Sequence, residues 1–389
     1  MLKKNLYVIL VTVLFISCKD TKAQEEEKYI PVDEFSGFRE ITQEEHKFTP
    51  RKFINGIDST EVSLVHSLTN TSFHVYNASA FESDEKGVLV GGTGLRIRST
   101  VDGGKNWKQI QLSPFANSFH SVAFCNGEAF AVGEGSFIAK GDSTLNHWSV
   151  FNIKPLDGLV GDTHQLYKIK FRNKLGFAMG FDTGIGVSKP LILKTTDGGK
   201  NWSTHSHIGL ENETGAIYDF DIVSESILYL VTQMGNAYKS HDGGTSWQIL
   251  FSSERKNASL NSVDFKNENA GFIGGLSGTL LFTADGGENW RQSTSFNDST
   301  QLNIADIKYI SDETVAITTA QSFVDEERPT FAYLLDGNGK ERTKPLLTKK
   351  DSTVFFEGDS YHIYPLNKSV VYLTDRNNLY KVNIDTTVK

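Results

Sequence analysis

Two sets of residues in this chain have types and spacing that bear on chemistry. Four aspartates, Asp102, Asp197, Asp242 and Asp285, each open an Asp-Gly-Gly triplet and precede a tryptophan by five residues. Carboxylates held about 5–10 Å apart can share the acid and base work of glycoside hydrolysis, so four similar aspartates raise that chemistry first. The other set is histidine: His74, His120 and His362 each follow the first residue of an apolar strand pattern. Imidazoles converging on one point could hold a metal or an anionic group, because histidine is a common ligand and titrates near neutral pH. Which chemistry is possible depends on how the fold spaces these groups.

The aspartates belong to a repeat. Thr100-Val-Asp-Gly-Gly-Lys-Asn-Trp107, Thr195-Thr-Asp-Gly-Gly-Lys-Asn-Trp202, Ser240-His-Asp-Gly-Gly-Thr-Ser-Trp247 and Thr283-Ala-Asp-Gly-Gly-Glu-Asn-Trp290 are near copies, their aspartates 95, 45 and 43 residues apart. The long first gap holds a degenerate copy, Asp142 to Trp148, and the five copies contain all 5 tryptophans of the chain. A fixed period of roughly 40–50 residues signals an array of supersecondary units. Each unit has the same internal order, an alternating strand, a Gly-rich strand, a short apolar strand, the Asp-Gly-Gly turn and a Trp-led strand, although the last two units have lost the Trp box. That order, without helical periodicity, predicts an antiparallel blade of four strands.

Seven units begin near Phe73, Phe119, Leu166, Ile217, Leu260, Ile304 and Tyr361. The expected fold is all-β: a closed seven-bladed β-propeller of four-stranded antiparallel blades, since closure removes exposed strand edges. The last unit shows only three strands, so its fourth is expected from the N-terminal region, within Phe38–Ile54. Residues 38–389 are thus expected to form one domain, although 389 residues alone would suggest two.

In this frame the Asp-Gly-Gly turn is a hairpin staple. Aspartate accepts amides in the manner of an Asx turn. Gly103, Gly198, Gly243 and Gly286 begin pairs that reach positive φ without a Cβ clash. Trp107, Trp148, Trp202, Trp247 and Trp290 return to cover apolar surface. Successive blades spread the aspartates, Asp142 included, around a ring, which argues against paired-carboxylate catalysis.

The (Ser/Thr)-x-Asp-Gly-Gly-x-x-Trp copies resemble the Asp-box, or BNR, repeat. Phe119-His-Ser-Val-Ala-Phe followed by Ala129-Phe-Ala-Val-Gly-Glu-Gly135 resembles propellers of the photosystem II stability/assembly-factor-like family, over about residues 60–385. That resemblance implies a non-enzymatic scaffold or assembly factor outside the cytoplasm. Sialidases also carry Asp boxes and give the enzymatic alternative, a glycoside hydrolase. Their early Arg-Ile-Pro element has only Phe38-Arg39-Glu40-Ile41 as a counterpart here, and xyloglucanase-like enzymes with these repeats use two propellers.

A propeller lines its central channel with the first strand of each blade. Aligned second residues are His74, His120, Tyr167, Tyr218, Asn261, Ala305 and His362, and ring closure would make the three histidines neighbours. The alternative is that these rings pack between blades. Insertions at Phe181–Pro190 and Ser322–Pro329 fall on the face opposite the Asp-Gly-Gly turns, with Arg96, Glu134, Asp182 and Arg376 near the same turns. That face is the expected binding surface, for a protein or a glycan.

The first seventeen residues read as a signal peptide: Lys3 and Lys4, an apolar run Leu6–Ile16 too short to span a bilayer, then Ser17 before Cys18. This ending resembles a bacterial lipobox with Cys18 as the lipidation site, although Phe15 stands where Leu is usual. Residues 18–37 form a polar tether, and Lys19-Asp20 resembles the export signal of Bacteroidetes lipoproteins. The expected location is the outer membrane, periplasmic or surface-exposed, with the lipid as membrane partner. Two cysteines exclude a disulfide framework and leave Cys125 as a spare thiol. A net charge of −8 argues against nucleic acid as a partner. No phosphate loop, dinucleotide fingerprint or nucleophile elbow is present, so no cofactor is expected.

Overall fold

The computed structural model describes residues 43–47, 51–54, 61–67 and 75–384, the last stretch apart from 113–116, 136, 153–163, 184–187, 206, 255–257, 294–301, 321–331, 337–361 and 376–377. Cys18, the signal peptide and the tether lie outside the described residues, as do His74 and Arg376.

The protein is an all-β, seven-bladed propeller. Blade one runs Ala78–Phe81, Gly87–Gly91, Arg96–Thr100 and Asn106–Gln111. Blade two runs Phe119–Cys125, Glu128–Gly133, Phe137–Gly141 and Trp148–Asn152. Blade three runs His164–Arg172, Leu175–Asp182, Lys189–Thr195 and Ser203–Thr204. Blades four and five begin at Ile217–Ile222 and Leu260–Phe265, and blade six shows three strands among the described residues, from Asn303–Ser311 to Ala332–Asp336. Each first strand packs beside that of the next blade, and His362–Asn367 of blade seven lies against Ala78–Phe81 of blade one, closing the ring.

Closure corrects one expectation. The fourth strand of blade seven is Glu61–Ser67, which pairs antiparallel with Asn378–Asn383. It lies beyond the 38–54 window. Arg51–Ile54 adds a fifth strand outside it, and Gln43–Lys47 adds a fifth strand to the outer edge of blade one. The shift has a physical reason: Val62, Leu64 and Val65 bring apolar residues to the edge of Leu379–Val382, whereas Gln43-Glu-Glu-His-Lys47 is polar and suits an outer edge. The seam is reinforced by Phe81 stacked on Tyr372 at 3.6 Å and by the Thr374 hydroxyl donating to Ser79 Oγ at 2.7 Å.

First-to-second and third-to-fourth strand turns share one face, the turn face. First strands begin on the opposite face, the mouth face. On the turn face, the hydroxyl two residues before each Asp does the inner capping. Thr100 Oγ1 accepts the Gly104 amide at 2.9 Å while donating to Asp102 at 2.9 Å. The Asp carboxylate then accepts the amide four residues on, Asn106 at 2.9 Å, not two on as the sequence suggested. Thr195/Asp197, Ser240/Asp242 and Thr283/Asp285 repeat the pattern. Degenerate Asp142 does take the amide two residues on, Thr144 at 3.1 Å. The indole N–H groups of Trp107 and Trp247 donate to Gly104 and Gly244 at 2.9 and 3.0 Å; those of Trp148, Trp202 and Trp290 have no such bond.

The second glycine of each full turn is wedged against the preceding blade. A Cβ on Gly199, at φ +84°, would stand 2.5 Å from Phe130 of blade two. Gly199→Ala is expected to lower stability by roughly 1–3 kcal/mol through backbone strain and overpacking. A urea titration with an unchanged midpoint would show the wedge to be unimportant.

Acid should loosen these turns. For Asp242, partial burial would raise the carboxyl pKa, but hydrogen bonds from the Ser246 side chain and amide and from Ser240 outweigh it and bring it to about 2. Asn289 side-chain and backbone bonds hold Asp285 at about 2 as well. A folded pKa below the ordinary 3.8 means stability present above the unfolded value and lost as pH falls through the folded one, between about pH 4 and about pH 2. Melting curves across that range should fall more steeply for the native protein than for the Asp242→Asn, Asp285→Asn double variant. Parallel curves would sink this account.

Candidate functional site

The innermost strands of blades two to six begin with the same irregularity. The ladder skips one residue between Phe119 and Ser121, Leu166 and Lys168, Ile217 and Asp219, Leu260 and Ser262, and Ile304 and Asp306. Such a bulge bends the strand and re-aims the extra side chain. The extra residues are His120, Tyr167, Tyr218, Asn261 and Ala305, so five of the seven positions aligned from sequence occupy one structural place at the mouth of the channel.

The other two do not. Asn77, not His74, matches Asn261: both side-chain amides donate to the next blade, Asn77 to the Phe119 carbonyl at 2.6 Å and Asn261 to the Ile304 carbonyl at 2.9 Å. His362 pairs with Thr374 one place deeper, level with Ser121 and Asp306. A shift of one residue changes the facing of a strand side chain. His120 and His362 therefore stand at different levels, His74 lies outside the described residues, and no group of three metal-ligating side chains occurs among the described residues.

The deeper place forms a belt between blades. Its side chains accept a backbone N–H of the following blade: Asp219 that of Val263 at 3.1 Å, Ser262 that of Ile307 at 3.1 Å, and Asp306 that of Ile363 at 2.9 Å. His362 Nδ1 accepts the Ser79 amide at 3.4 Å, and Ser121 the Ile169 amide at 3.2 Å. Two places further along, Asp221 and Asp264 repeat the bond to Phe265 and Tyr309 at 2.9 and 2.7 Å. Buried inner-edge amides need acceptors, and these side chains supply them.

Lysines balance the buried carboxylates. Lys170 meets Asp219 at 2.8 Å and also bonds the Phe220 carbonyl. Lys308 meets Asp264 at 3.2 Å and Asp306 at 3.5 Å. Burial pushes the Asp264 carboxyl up to about 6, with Asp221 adding to the rise and Lys308 opposing it. Burial opposes ionisation of Asp306 and Asp219 too, but neighbouring lysines hold both below the usual carboxylate range. Burial and nearby Lys168 depress His362 to about 3, so its ring is neutral. These aspartates, which the repeat pattern did not single out, could have been noticed as charges at core-facing strand positions. They are occupied by backbone amides and lysines, not arranged as an acid–base pair flanked by arginines.

At the mouth, the bulge residues of blades two to four form an aromatic cluster. His120 stacks on Tyr167 with centroids 5.1 Å apart, Tyr167 meets Tyr218 edge-on at 5.2 Å, and Phe181 stacks on the outer side of Tyr167 at 5.8 Å. All four rings are half-buried. Burial lowers His120 to about 4 and raises Tyr167 to about 12, helped by Tyr218 and Glu134. Glu134 caps the Ser118 amide at 3.1 Å, and Asp182 lies 3.4 Å from His164 Nε2. Arg96 reaches Gln111 at 3.5 Å on blade one, away from this cluster. The structure thus brings together His120, Tyr167 and Tyr218, adds Phe181, and engages Glu134 and Asp182 locally.

No family model matches the chain. A photosystem II assembly lipoprotein, Ycf48, of Synechococcus sp. (strain CC9902) is 30% identical over 167 residues, which are 41% of this chain and 46% of that protein. The match therefore spans about half the length of that relative. Among solved structures, YCF48 bound to D1 peptide has a TM-score of 0.58 at 17% identity, covering 83% of this chain and 99% of that one. YCF48 from Cyanidioschyzon merolae gives 0.56 at 16%, covering 82% and 98%. The WD40 repeats of RRP9 give 0.59 at 9%, covering 87% and 100%. At such identities the structural likeness establishes the fold, and the sequence match relates part of the chain to Ycf48.

Proposed function

We propose that this protein is a non-enzymatic, lipid-anchored scaffold or assembly factor outside the cytoplasm that holds a polypeptide segment on its mouth face. The observation that carries the reading is the half-buried cluster of His120, Tyr167, Phe181 and Tyr218 on that face. Aromatic side chains combine large apolar area with few rotatable bonds and suit protein recognition. The likeness to an assembly lipoprotein and to a propeller described with a bound peptide favours the same reading.

The mouth face would also be turned towards the membrane. Supporting this is the register of the first described strand: Lys47 pairs with Asn106 beside the Asp-Gly-Gly turn and Gln43 with Ile110 at the other end. Gln43 therefore stands at the mouth-face end of its strand. An acylated Cys18 would hold this face near the lipid surface.

Two experiments test the reading. Cys18→Ser should move the protein from the membrane pellet to the soluble fraction; retention in the pellet would refute the lipid anchor. Cross-linking in native membranes should capture a polypeptide with the intact protein, and Tyr167→Ala with Tyr218→Ala should cut the capture at least tenfold at unchanged circular dichroism. Undiminished capture would remove the mouth face from the account, and loss of binding on a glycan array instead would transfer the site to a glycan.

A further inference from the structure

The belt of inter-blade hydrogen bonds is broken at two blades, one and three. At the belt position blades two, four, five, six and seven carry Ser121, Asp219, Ser262, Asp306 and His362, each accepting the amide of the following blade. Blade one carries Ala78, which pairs with Val90 as Ser121 pairs with Val132. The amide that would meet it is that of Val122, equivalent to Ile169, Val263 and Ile363. Among the described residues no side-chain acceptor stands there. On either side of the gap lie two donors with no hydrogen-bond or ion-pair partner among the described residues. Lys168, in blade three, stands where the belt would call for an acceptor. His362, in blade seven, uses Nδ1 to accept the Ser79 amide, which leaves the proton on Nε2. Val122, Ser121, Lys168 and His362 all line one cavity of about 250 Å³ in the channel.

We propose that this cavity is a carboxylate-binding site, in which a ligand carboxylate supplies the acceptor that Ala78 lacks and takes hydrogen bonds from Lys168 and from His362 Nε2–H. Among the described residues no far-wall carboxylate bonds these donors, although Lys168 acts on Asp219 and Asp306 through its charge: Asp219 is met by Lys170, Ser262 and the Phe220 and Val263 amides, and Asp306 by Ser262, Lys308 and the Ile307 and Ile363 amides. An ammonium or imidazole donor to a carboxylate is a strong hydrogen bond in a site of low polarity. The cavity holds a small carboxylate ion or the carboxylate of one Asp or Glu side chain reaching down from a segment on the mouth face. The site does not depend on the aromatic cluster being a docking surface.

The charged groups facing this point are Asp219, Asp221, Asp264 and Asp306 against Lys168, Lys170 and Lys308, with His362 neutral. One carboxylate in excess weakens anion binding while all four are ionised. Asp264, the acid that burial holds closest to neutral pH, removes that excess when it takes a proton. Affinity should therefore rise several-fold between pH 7.5 and pH 5.5.

The test is an amide NMR titration of the whole folded chain with sodium acetate and, separately, with an N-acetylated, C-amidated tripeptide Gly-Glu-Gly, using sodium chloride at equal ionic strength as control. Saturable shifts of Val122 and Ile363 amides with either carboxylate, absent with chloride, are expected. Acetate alone binding identifies a small ion as the ligand; the peptide binding identifies an acidic side chain. Lys168→Met should weaken the response at least tenfold. Ala78→Ser, which restores the belt acceptor found in blades two and five, should also abolish it while raising the melting temperature. The proposal fails if neither carboxylate shifts these amides, or if the shifts survive both substitutions.

Discussion

A closed propeller has a difficulty that an ordinary sheet lacks: the innermost strand of every blade offers one edge to the channel, where no further strand fits. Buried backbone amides without acceptors are costly. In this protein the solution is lateral. Side chains from one blade accept the inner-edge amides of the next, in two tiers, with Asp219, Ser262, Asp306 and His362 in one and Asp221 and Asp264 in the other. The channel chemistry follows from that need. Aspartates are buried because amides require them, and Lys170 and Lys308 are buried because aspartates require counter-charge. Removing one lysine would strand a carboxylate in the interior.

The turn face obeys a different logic. There the aspartates are exposed or half-buried, their pKa values lowered, and each is surrounded by donors of its own hairpin. The same residue type thus serves twice with opposite environments: surface aspartates tie third strand to fourth within a blade, and channel aspartates tie blade to blade. Lys194 and Lys239 link the two levels, lying over Phe177 and Tyr229 while bonding the turn carbonyls Gly243 and Gly286 of the following blade.

Much of this was legible in the sequence, for a physical reason. The Asp-Gly-Gly turn is local, so its residues are adjacent in the chain and its repeat reports the blade period directly, while the count of seven comes from the first-strand pattern. The mouth position was legible where the bulge repeats, at His120, Tyr167 and Tyr218. It failed in blades one and seven, where Asn77 fills the place and His362 sits one residue deeper, because those blades lack the flanking pattern and one residue of slip reverses the facing. The closing strand was misplaced because pairing between the two ends of the chain leaves no local trace. The belt was hidden for a similar reason: its partners lie in different blades, some 40 to 50 residues apart, and nothing in either segment alone marks the bond.

Closure by Glu61–Ser67 against Asn378–Asn383 also sets an order in time. Local hairpins such as the Asp-Gly-Gly turns form from residues already at hand, whereas this pairing joins strands more than 300 residues apart in the chain. Contacts of such separation form late and slowly. A chain threaded N-terminus first through a membrane would have to keep Glu61–Ser67 waiting, its strand edge unpaired, until almost the last residue had crossed. Of the strands next to that waiting segment in sequence, Arg51–Ile54 is the one that pairs with it in the finished sheet, and it is the nearest available cover.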